Sequence, residues 1–327
     1  MTLNRFLPAL GLAALALTAT ANAESKPGSL LLYPSFDSRP GSSTVLTVTN
    51  TNDDVVTGNV LVEFIYIEKE TCLEFNRTAL LTANDTLTVL ASVHNPQQQQ
   101  GYLYVFAKSP LTGEAITWDY LIGNMIDIDA FVLFDWSLNA ITYQGQTIEG
   151  LPTDVDGDGH KDLDGVEYSK AADEILIPRF FGQGFPIESE LILVNLSGGA
   201  RFTTTLDFLI YNDNEQVFSA QHTFRCWETT RLTNISSAFT RDFLLSTFQN
   251  PFEVQGSLIL ESGWMRIDGN VAQSRAAQIE DPAFVAVLVE QFFALATFGA
   301  ADLPFAKGEQ DNGTLLPLGI FGDNGDS

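Results

Sequence analysis

The sequence predicts an all-β protein with little helix, built from two tandem antiparallel β-sandwich (Ig-like) units that are related by internal duplication. Three observations lead to this prediction. The chain contains many short runs of β-branched, aliphatic and aromatic residues, turn residues separate these runs, and similar runs recur in its second half. A length of 327 residues and a hydrophobic content of 45% are sufficient for two domains with packed cores.

Short strands are predicted along most of the chain. The clearest runs are 45–49, 60–67, 87–93 and 102–107 in the first half, and 202–211, 217–226 and 257–261 in the second. The best helix candidates are 235–248 and 282–296. The apolar stretch 283–300 has Glu290 near its middle, which disfavours a membrane span and favours a buried strand or an amphipathic helix.

Internal duplication is indicated by short signatures that recur in the same order. Two paired signatures are 31–34 (LLYP) with 175–178 (ILIP) and 63–66 (EFIY) with 207–211 (DFLIY). The motif C-x-E-x-x-R begins at Cys72 and again at Cys226. Trp118 matches Trp264, and in both cases a Gly-Asn pair begins five residues later. Chance could supply one or two such matches in a β-rich chain, but not an ordered series. We therefore predict two copies of one ancestral unit, with the two tryptophans in the cores rather than on sugar-stacking surfaces.

The predicted domain organisation begins with an export signal. Arg5, an apolar run and the small residues at 21–23 (ANA) together are typical of a cleaved signal peptide. The predicted segments are a signal peptide at 1–23, a first β-sandwich repeat at 24–150, an acidic calcium-binding linker at 151–172, a second repeat at 173–306 and a flexible acidic tail at 307–327. We expect a secreted protein, periplasmic or extracellular, with no membrane span in the mature chain. The net charge of −25 argues against nucleic acid as a partner.

The linker contains the pattern D-x-D-x-D-G-x-x-D, which predicts a cation site. Three carboxylates at alternate positions converge on one point and repel each other without a cation, while Gly159 permits a sharp reversal of the chain. The candidate metal ligands are Asp154, Asp156, Asp158, His160 (through its backbone carbonyl), Asp162, Asp164 and Glu167.

This loop resembles the aspartate-rich calcium loops of dockerins, thrombospondin type 3 repeats and the FG-GAP repeats of integrin α-subunits. The resemblance covers about a dozen residues and implies calcium as the cofactor. The loop departs from a full EF-hand loop because position twelve is Gly165, so that Asp164 or Glu167 would have to supply the last carboxylate. We expect calcium to rigidify the junction and to set the angle between the two units.

Cys72 and Cys226 are the only cysteines of the chain. In an oxidising compartment an isolated pair is often a disulfide, and equivalent residues of two repeats can meet near a pseudo-twofold axis. Two buried thiols that behave as small apolar side chains are the alternative.

The expected function is non-catalytic. We expect an exported binding, adhesion or envelope-structural protein whose partner is a protein or a glycan, because the sequence offers no nucleophile motif and no metal-ligand spacing among its three histidines. The alternative is a carbohydrate-active protein, either a carbohydrate-binding module or a glycoside hydrolase. In that case Asp127, Asp129 and Glu149 are candidate carboxylates.

Overall fold

The computed structural model of the protein describes residues 26–131, 133–247, 261–293, 297–302 and 304–315. The chain is 57% strand and 8% helix, which confirms the prediction of an all-β protein with little helix. The predicted signal peptide at 1–23 lies outside the described residues. Of the predicted strand at 257–261, only residue 261 is described.

Nine strands form the first unit. They are β1 (Leu30–Asp37), β2 (Ser42–Asn50), β3 (Val60–Glu68), β4 (Glu74–Leu81), β5 (Thr86–Leu90), β6 (Gln100–Lys108), β7 (Leu121–Asp129), β8 (Phe134–Asn139) and β9 (Ile141–Tyr143). A short strand, β10 (Lys161–Leu163), lies in the segment between the units.

The remaining strands belong to the second unit and the end of the described chain. They are β11 (Glu174–Phe181), β12 (Ile187–Asn195), β13 (Thr203–Asn212), β14 (Val217–Phe224), β15 (Trp227–Arg231), β16 (Ser262–Gln273), β17 (Gln278–Glu280), β18 (Phe284–Phe293), β19 (Thr297–Asp302), β20 (Phe305–Lys307) and β21 (Gly313–Leu315). The α-helices are α1 (Ala91–His94), α2 (Leu232–Ile235) and α3 (Arg241–Thr247), and single 3-10 turns occur at Gly199–Arg201 and Ser237–Phe239.

The order of strands in the sheets repeats from one unit to the next. In the first unit, sheet A has the order β5-β2-β7-β8 and sheet B the order β4-β3-β6-β1-β9. In the second unit, sheet C has the order β15-β12-β18-β19, and sheet D has the order β14-β13-β16-β11-β20 with β17 attached to β16. Each strand of A therefore has a counterpart in C, and each strand of B has one in D. This correspondence supports the predicted duplication.

The register of strand pairing confirms two of the matches between the two halves of the sequence. The pairing of β1 with β6 shifts between Tyr33 and Phe36, and the pairing of β11 with β16 shifts between Ile177 and Phe180, so the matched LLYP and ILIP segments carry the same bulge. Each bulge follows from a proline, because proline cannot donate to the ladder. Glu63 in β3 and Asp207 in β13 also occupy equivalent positions, opposite Phe106 and Asp268 respectively.

The match of Cys72 with Cys226 is wrong. Cys72 lies in the turn before β4, whereas Cys226 lies directly before β15, so the two cysteines are not equivalent. The position equivalent to Cys72 is Glu215, two residues before β14, and both residues have a positive φ, 59° and 61°. The two equivalent turns thus share a backbone conformation although their side chains differ.

The match of Trp118 with Trp264 is wrong as well, because these residues lie at strands that are not equivalent. Their environments also differ. Trp118 precedes β7 and is buried, and its indole N–H donates to Asn50 Oδ1 at 3.1 Å, as expected for a core tryptophan. Trp264 lies within β16 and is 36% exposed, so the core prediction is wrong for this residue. It lies on the outer face of sheet D, where it stacks on Tyr211 with the ring centroids 4.1 Å apart.

The four sheets form a propeller-like ring and are not clearly two separate Ig-like sandwiches. The physical reason lies in sheet C, which is apolar on both faces. One face packs with the first unit, and the other packs on sheet D in a second core. The residues of sheet C that join the first core are Ile192, Val194, Val285, Val287 and Val289. A sandwich that stood alone would leave one of these faces in water.

The described part of the apolar stretch 283–300, for which a buried strand or an amphipathic helix is predicted, is strand. It contains β18, Phe284–Phe293, so the helix prediction at 282–296 is wrong. The other predicted helix, 235–248, is broken into the end of α2, a 3-10 turn and α3. Among the described residues no helix is long and apolar enough to cross a membrane.

The two units are held together by more than the linker. Cys72 and Cys226 form a disulfide with a Cα–Cα distance of 6.1 Å, which confirms the predicted bridge, although the two residues are not repeat equivalents. The indole N–H of Trp227 donates to the carbonyl oxygen of Pro34 at 2.7 Å. The relative position of the two units is therefore fixed by a shared core, a disulfide and a buried hydrogen bond.

Candidate metal centre

The acidic segment 151–172 packs against the rest of the molecule and is not a bare tether. Tyr168 and Leu163 are fully buried, and the Tyr168 hydroxyl lies 3.0 Å from the hydroxyl of Thr153. Strand β10 pairs with β21, which lies in the segment predicted as a flexible tail. Because the units also contact each other directly, this segment is not the only part of the chain that sets their relative position.

Three of the predicted ligands come together at the start of the segment. Asp154, Asp156 and Asp158 each offer a carboxylate oxygen, and these oxygens lie within 4.8 Å of one another. A calcium ion with ligands at about 2.3–2.6 Å places opposite ligand atoms about 4.6–5.2 Å apart. The spacing therefore fits one ion between the three groups, and the segment is a possible acidic metal-binding site.

Backbone N–H groups arrange the three carboxylates. Asp154 accepts from the N–H of Gly157 at 2.7 Å and of Gly159 at 3.1 Å. These glycines have φ values of 79° and 83°, a conformation that L-residues with a side chain rarely adopt. Gly159 thus has the predicted role in the reversal of the chain. Each carboxylate oxygen has more than one lone pair, so these bonds leave capacity for a cation.

His160 and Lys161 follow the three aspartates and contact the loop through their side chains. The His160 Nδ1 atom lies 3.2 Å from Asp158 Oδ2. The Lys161 ammonium donates to the carbonyl oxygens of Gly159 and His160, each at 3.1 Å, and it lies over the ring of Phe106. Burial lowers the pKa of Lys161, and the negative charges of Asp154 and Glu167 oppose that shift. The His160 carbonyl, predicted as a calcium ligand, is thus already an acceptor for Lys161.

The last three predicted ligands do not belong to the carboxylate group of Asp154. The buried Glu167 accepts from the N–H groups of Val155 at 2.8 Å and Asp162 at 3.2 Å, so its carboxylate closes the loop. Asp164 accepts from the N–H of Glu167 at 3.0 Å in a local turn. Burial raises the pKa values of Asp162 and Glu167. Glu167 would therefore support a metal centre by shaping its loop.

A second acidic group was not predicted from the sequence. Asp173, Asp268 and Asp281 also bring carboxylate oxygens within 4.8 Å of one another. Burial, together with the charges of Asp281 and Glu174, raises the pKa of Asp268 to about 6. These residues come from three separate segments, so no local spacing could have indicated the group.

A polar cleft of about 110 Å³ lies between sheets A and C. Its lining includes Asp37, Arg39, Asp127 and Glu190. Arg39 donates from Nε and Nη2 to the carboxylate of Asp37. Burial and the charge of Asp37 raise the pKa of Asp127 to about 7, while burial also raises the pKa of Glu190. Of the three carboxylates named for the carbohydrate-active alternative, Asp127 and Asp129 line this cleft, whereas Glu149 lines a separate pocket with Tyr120.

The fold and the acidic loop thus define an all-β, disulfide-linked protein of two topologically equivalent units with a possible metal site. Comparison with protein-family models, with curated proteins and with solved structures found no match. The functional argument therefore depends on the chemistry of these residues.

Proposed function

We propose that the protein is an exported, non-catalytic binding, adhesion or envelope-structural protein that calcium stabilises through its acidic loop. Within each unit we interpret the paired sheets as an elaborated Ig-like sandwich. The observation that carries the proposal is the convergence of the Asp154, Asp156 and Asp158 carboxylates within 4.8 Å of one another in a loop that packs on the core.

Calcium would relieve the repulsion between these carboxylates. The three aspartates would hold the ion, and Asp162, which lies outside their carboxylate group, would reach it through a bridging water. Hard oxygen donors favour calcium over a transition metal, and the His160 side chain would stay outside the coordination shell. Because the loop pairs through β10 with β21, an ion in the loop would stabilise the end of the chain as well.

Export is supported by the amino-terminal sequence and by the disulfide. Arg5 and the residues at 21–23 have the pattern of a cleaved signal. Structural disulfides persist mainly in oxidising compartments. In such compartments calcium is often abundant enough for loops of modest affinity. The partner remains a protein or a glycan surface.

Thermal unfolding with and without calcium tests the metal site. Wild-type protein should unfold at a higher temperature in millimolar calcium than in EDTA, because an ion that binds only the folded state adds about 2.7 kcal/mol at 100 times its Kd. The double variant Asp156→Asn/Asp158→Asn should lose this response.

Two matched variants serve as controls. Asp53→Asn, in another exposed loop, should respond to calcium like the wild type. Asp281→Asn removes one carboxylate of the second acidic group. It should also respond to calcium like the wild type, which would assign the response to the first acidic group. Equal unfolding temperatures of the wild type in calcium and in EDTA would contradict the proposal.

A carbohydrate-active protein is the second candidate. It is favoured by the cleft between sheets A and C, where Asp127 and Glu190 both have raised pKa values. A carboxylic acid with a raised pKa can act as a general acid. A panel of polysaccharides should then be bound or hydrolysed by the wild type but not by Asp127→Asn, with Asp135→Asn on exposed β8 as the control. Binding and hydrolysis that are equal in both variants would exclude this cleft.

A further inference from the structure

Lys161 holds the backbone carbonyl that a calcium loop of this spacing would use. Asp154 is position one of the pattern, so that His160 is position seven, where the ligand is a backbone carbonyl oxygen. The Lys161 ammonium donates to the carbonyl oxygens of Gly159 and His160, each at 3.1 Å. The loop therefore already binds one cation, which is the ammonium group of Lys161.

The Lys161 side chain is anchored in the fold. The residue is only 7% exposed, and its ammonium lies 5.0 Å from the centroid of the Phe106 ring. Its backbone lies in β10, opposite Leu315 of β21. A buried ammonium is costly unless charged or polar groups compensate it. The two carbonyls, the aromatic ring and the negative charges of Asp154 and Glu167 supply this compensation.

The same arrangement gives the acidic loop an internal counter-charge. The carboxylate oxygens of Asp154, Asp156 and Asp158 lie within 4.8 Å of one another, so the three groups repel each other. The charge of Asp154 attracts Lys161, and the positive charge of the lysine offsets part of the repulsion. Lys161 therefore stabilises the loop in the absence of a metal ion.

We propose that Lys161 competes with calcium for the acidic loop. In the metal-free protein its ammonium occupies the carbonyl oxygen of His160, and calcium displaces it from that oxygen to complete the coordination shell. Lys161 thereby sets the calcium affinity of the site and keeps the loop ordered without metal. The inference rests on the proposed function, because it concerns the regulation of the same site.

The two cations cannot share the His160 carbonyl without a large electrostatic cost. A calcium ion at about 2.3–2.6 Å from this oxygen would lie no more than about 6 Å from an ammonium that stays 3.1 Å from the same oxygen. In a partly buried site, where water screens charges poorly, a divalent ion and an ammonium repel each other strongly at this distance. The geometry therefore favours exchange of one cation for the other over the binding of both.

Two buried carboxylates can receive the displaced ammonium. The charges of Glu167 and Glu63 both attract Lys161. Glu63 also pairs with Lys108 at 2.5 Å, and both glutamates are buried. The lysine side chain has a flexible four-carbon stem, so it can exchange its carbonyl partners for a carboxylate without carrying the ammonium into water. Lys161 should thus weaken calcium binding without preventing it.

Calcium titration of the full chain by isothermal calorimetry tests the proposal in the wild type and in Lys161→Met. Methionine keeps an unbranched apolar side chain beside Phe106 but removes the charge and both hydrogen bonds. The Kd of the variant for calcium should be about tenfold lower than that of the wild type, because the ion no longer has a competitor. Its unfolding temperature in EDTA should also be lower, because the metal-free loop has lost its counter-charge.

These two changes together distinguish a competitor from a structural lysine. Removal of a lysine with only a structural role would lower stability and weaken calcium binding at the same time. Lys161→Arg keeps the charge and should bind calcium as weakly as the wild type. Lys170→Met is the matched control, because Lys170 lies in the same segment but pairs with Asp311. Its calcium Kd should equal that of the wild type.

Two further variants and one spectroscopic measurement complete the test. Lys161→Gln is a second neutral substitution, which serves if the methionine variant does not fold. The triple variant Asp156→Asn/Asp158→Asn/Lys161→Met should not bind calcium, which would place the binding in the loop. In the wild type itself, the 13Cε resonance of Lys161 should shift when calcium is added, whereas that of Lys170 should not.

The possible outcomes separate this inference from the proposed function. A wild type that binds calcium, together with neutral Lys161 variants that bind it equally or more weakly, overturns the inference and leaves the proposed function intact. Calcium binding by the neutral variants alone supports the inference and contradicts the proposed function. No binding by any of these proteins overturns both. An unshifted Lys161 resonance in the calcium-saturated wild type also overturns the inference.

Discussion

The indole N–H of Trp227 donates to the carbonyl oxygen of Pro34 across the boundary between the two units. Both residues are buried. The bulge in β1 after Tyr33 takes this part of the strand out of regular pairing with β6. A bulge that the two units share is thus also a point of attachment between them.

Trp227→Phe should reduce the free energy of unfolding by about 1–3 kcal/mol. The substitution keeps an aromatic ring but leaves the buried Pro34 carbonyl without this donor. Urea denaturation followed by circular dichroism measures the change. Trp264→Phe, on the exposed face of sheet D, should change stability by less than about 0.5 kcal/mol. Equal effects of the two substitutions would show that the hydrogen bond to Pro34 contributes nothing.

Removal of the disulfide should have a larger effect. The bond joins residues separated by 154 positions in the sequence, and the entropy of closing so long a loop corresponds to at most about 5 kcal/mol. We expect the double variant Cys72→Ser/Cys226→Ser to lose about 2–5 kcal/mol in urea denaturation. Reduction of the wild type with dithiothreitol should reproduce most of this loss. A double variant within about 1 kcal/mol of the wild type would contradict the prediction.

Asn50 and Asn195 offer a test of the repeat. They end β2 and β12 at equivalent positions, both are buried, and each accepts from the backbone N–H two residues later. Asn50 also donates to the carbonyl oxygens of Gly58 and Thr82, whereas Asn195 donates to that of Ser197.

Replacement by alanine should therefore destabilise the protein at both sites, and more at the first. We expect losses of about 2–4 kcal/mol for Asn50→Ala and about 1–3 kcal/mol for Asn195→Ala. Exposed Asn139→Ala is the control in the same denaturation assay. The opposite order of the two effects would mean that the extra bonds of Asn50 carry no net stability.

Asp127 should make stability fall as pH rises. Burial raises its pKa in the folded state to about 7, from an ordinary value of 3.8. Between about pH 4 and pH 7 the unfolded chain releases this proton while the folded chain keeps it, so rising pH favours unfolding in this window. Above about pH 7 this contribution no longer changes.

The variant Asp127→Asn should remove that dependence. Its unfolding free energy, measured from pH 4 to pH 8, should decline less with rising pH than that of the wild type. Asp135→Asn, with an exposed carboxyl on the neighbouring strand, is the control. Parallel pH profiles for the wild type and Asp127→Asn would show that this carboxyl does not titrate differently in the folded and unfolded chains.

The strand content and part of the repeat could be predicted from the sequence, because both depend on local patterns. LLYP and ILIP are found on equivalent strands because they encode the same alternation and the same proline bulge. The match between Cys72 and Cys226 failed because three residue types in a short motif carry too little information to fix a register. The disulfide between them was nevertheless predicted correctly, because the pairing of the only two cysteines does not require that they be repeat equivalents.

The contacts between sheets could not be predicted from the same patterns. Continuous apolar runs in β12 and β18 indicate that both faces of these strands are buried, but not which sheet covers each face. The first three aspartates of the loop could be placed because a local turn brings them together. Asp164 or Glu167 is predicted as the last ligand; the Glu167 carboxylate accepts from the backbone N–H groups of Val155 and Asp162, contacts that no local spacing indicates.

The pairing of β10 with β21 has a consequence for the order of events during synthesis. The aspartate loop is complete in the nascent chain long before the ribosome reaches Leu315, yet its strand partner is among the last described residues. Thr314 also donates its N–H to the carbonyl oxygen of Leu196, which ties the same strand to the second unit. A chain interrupted before this point would carry the three carboxylates on a loop that lacks its β10–β21 pairing. Cation binding would then be weaker, because it would have to offset the conformational entropy lost when the loop becomes ordered.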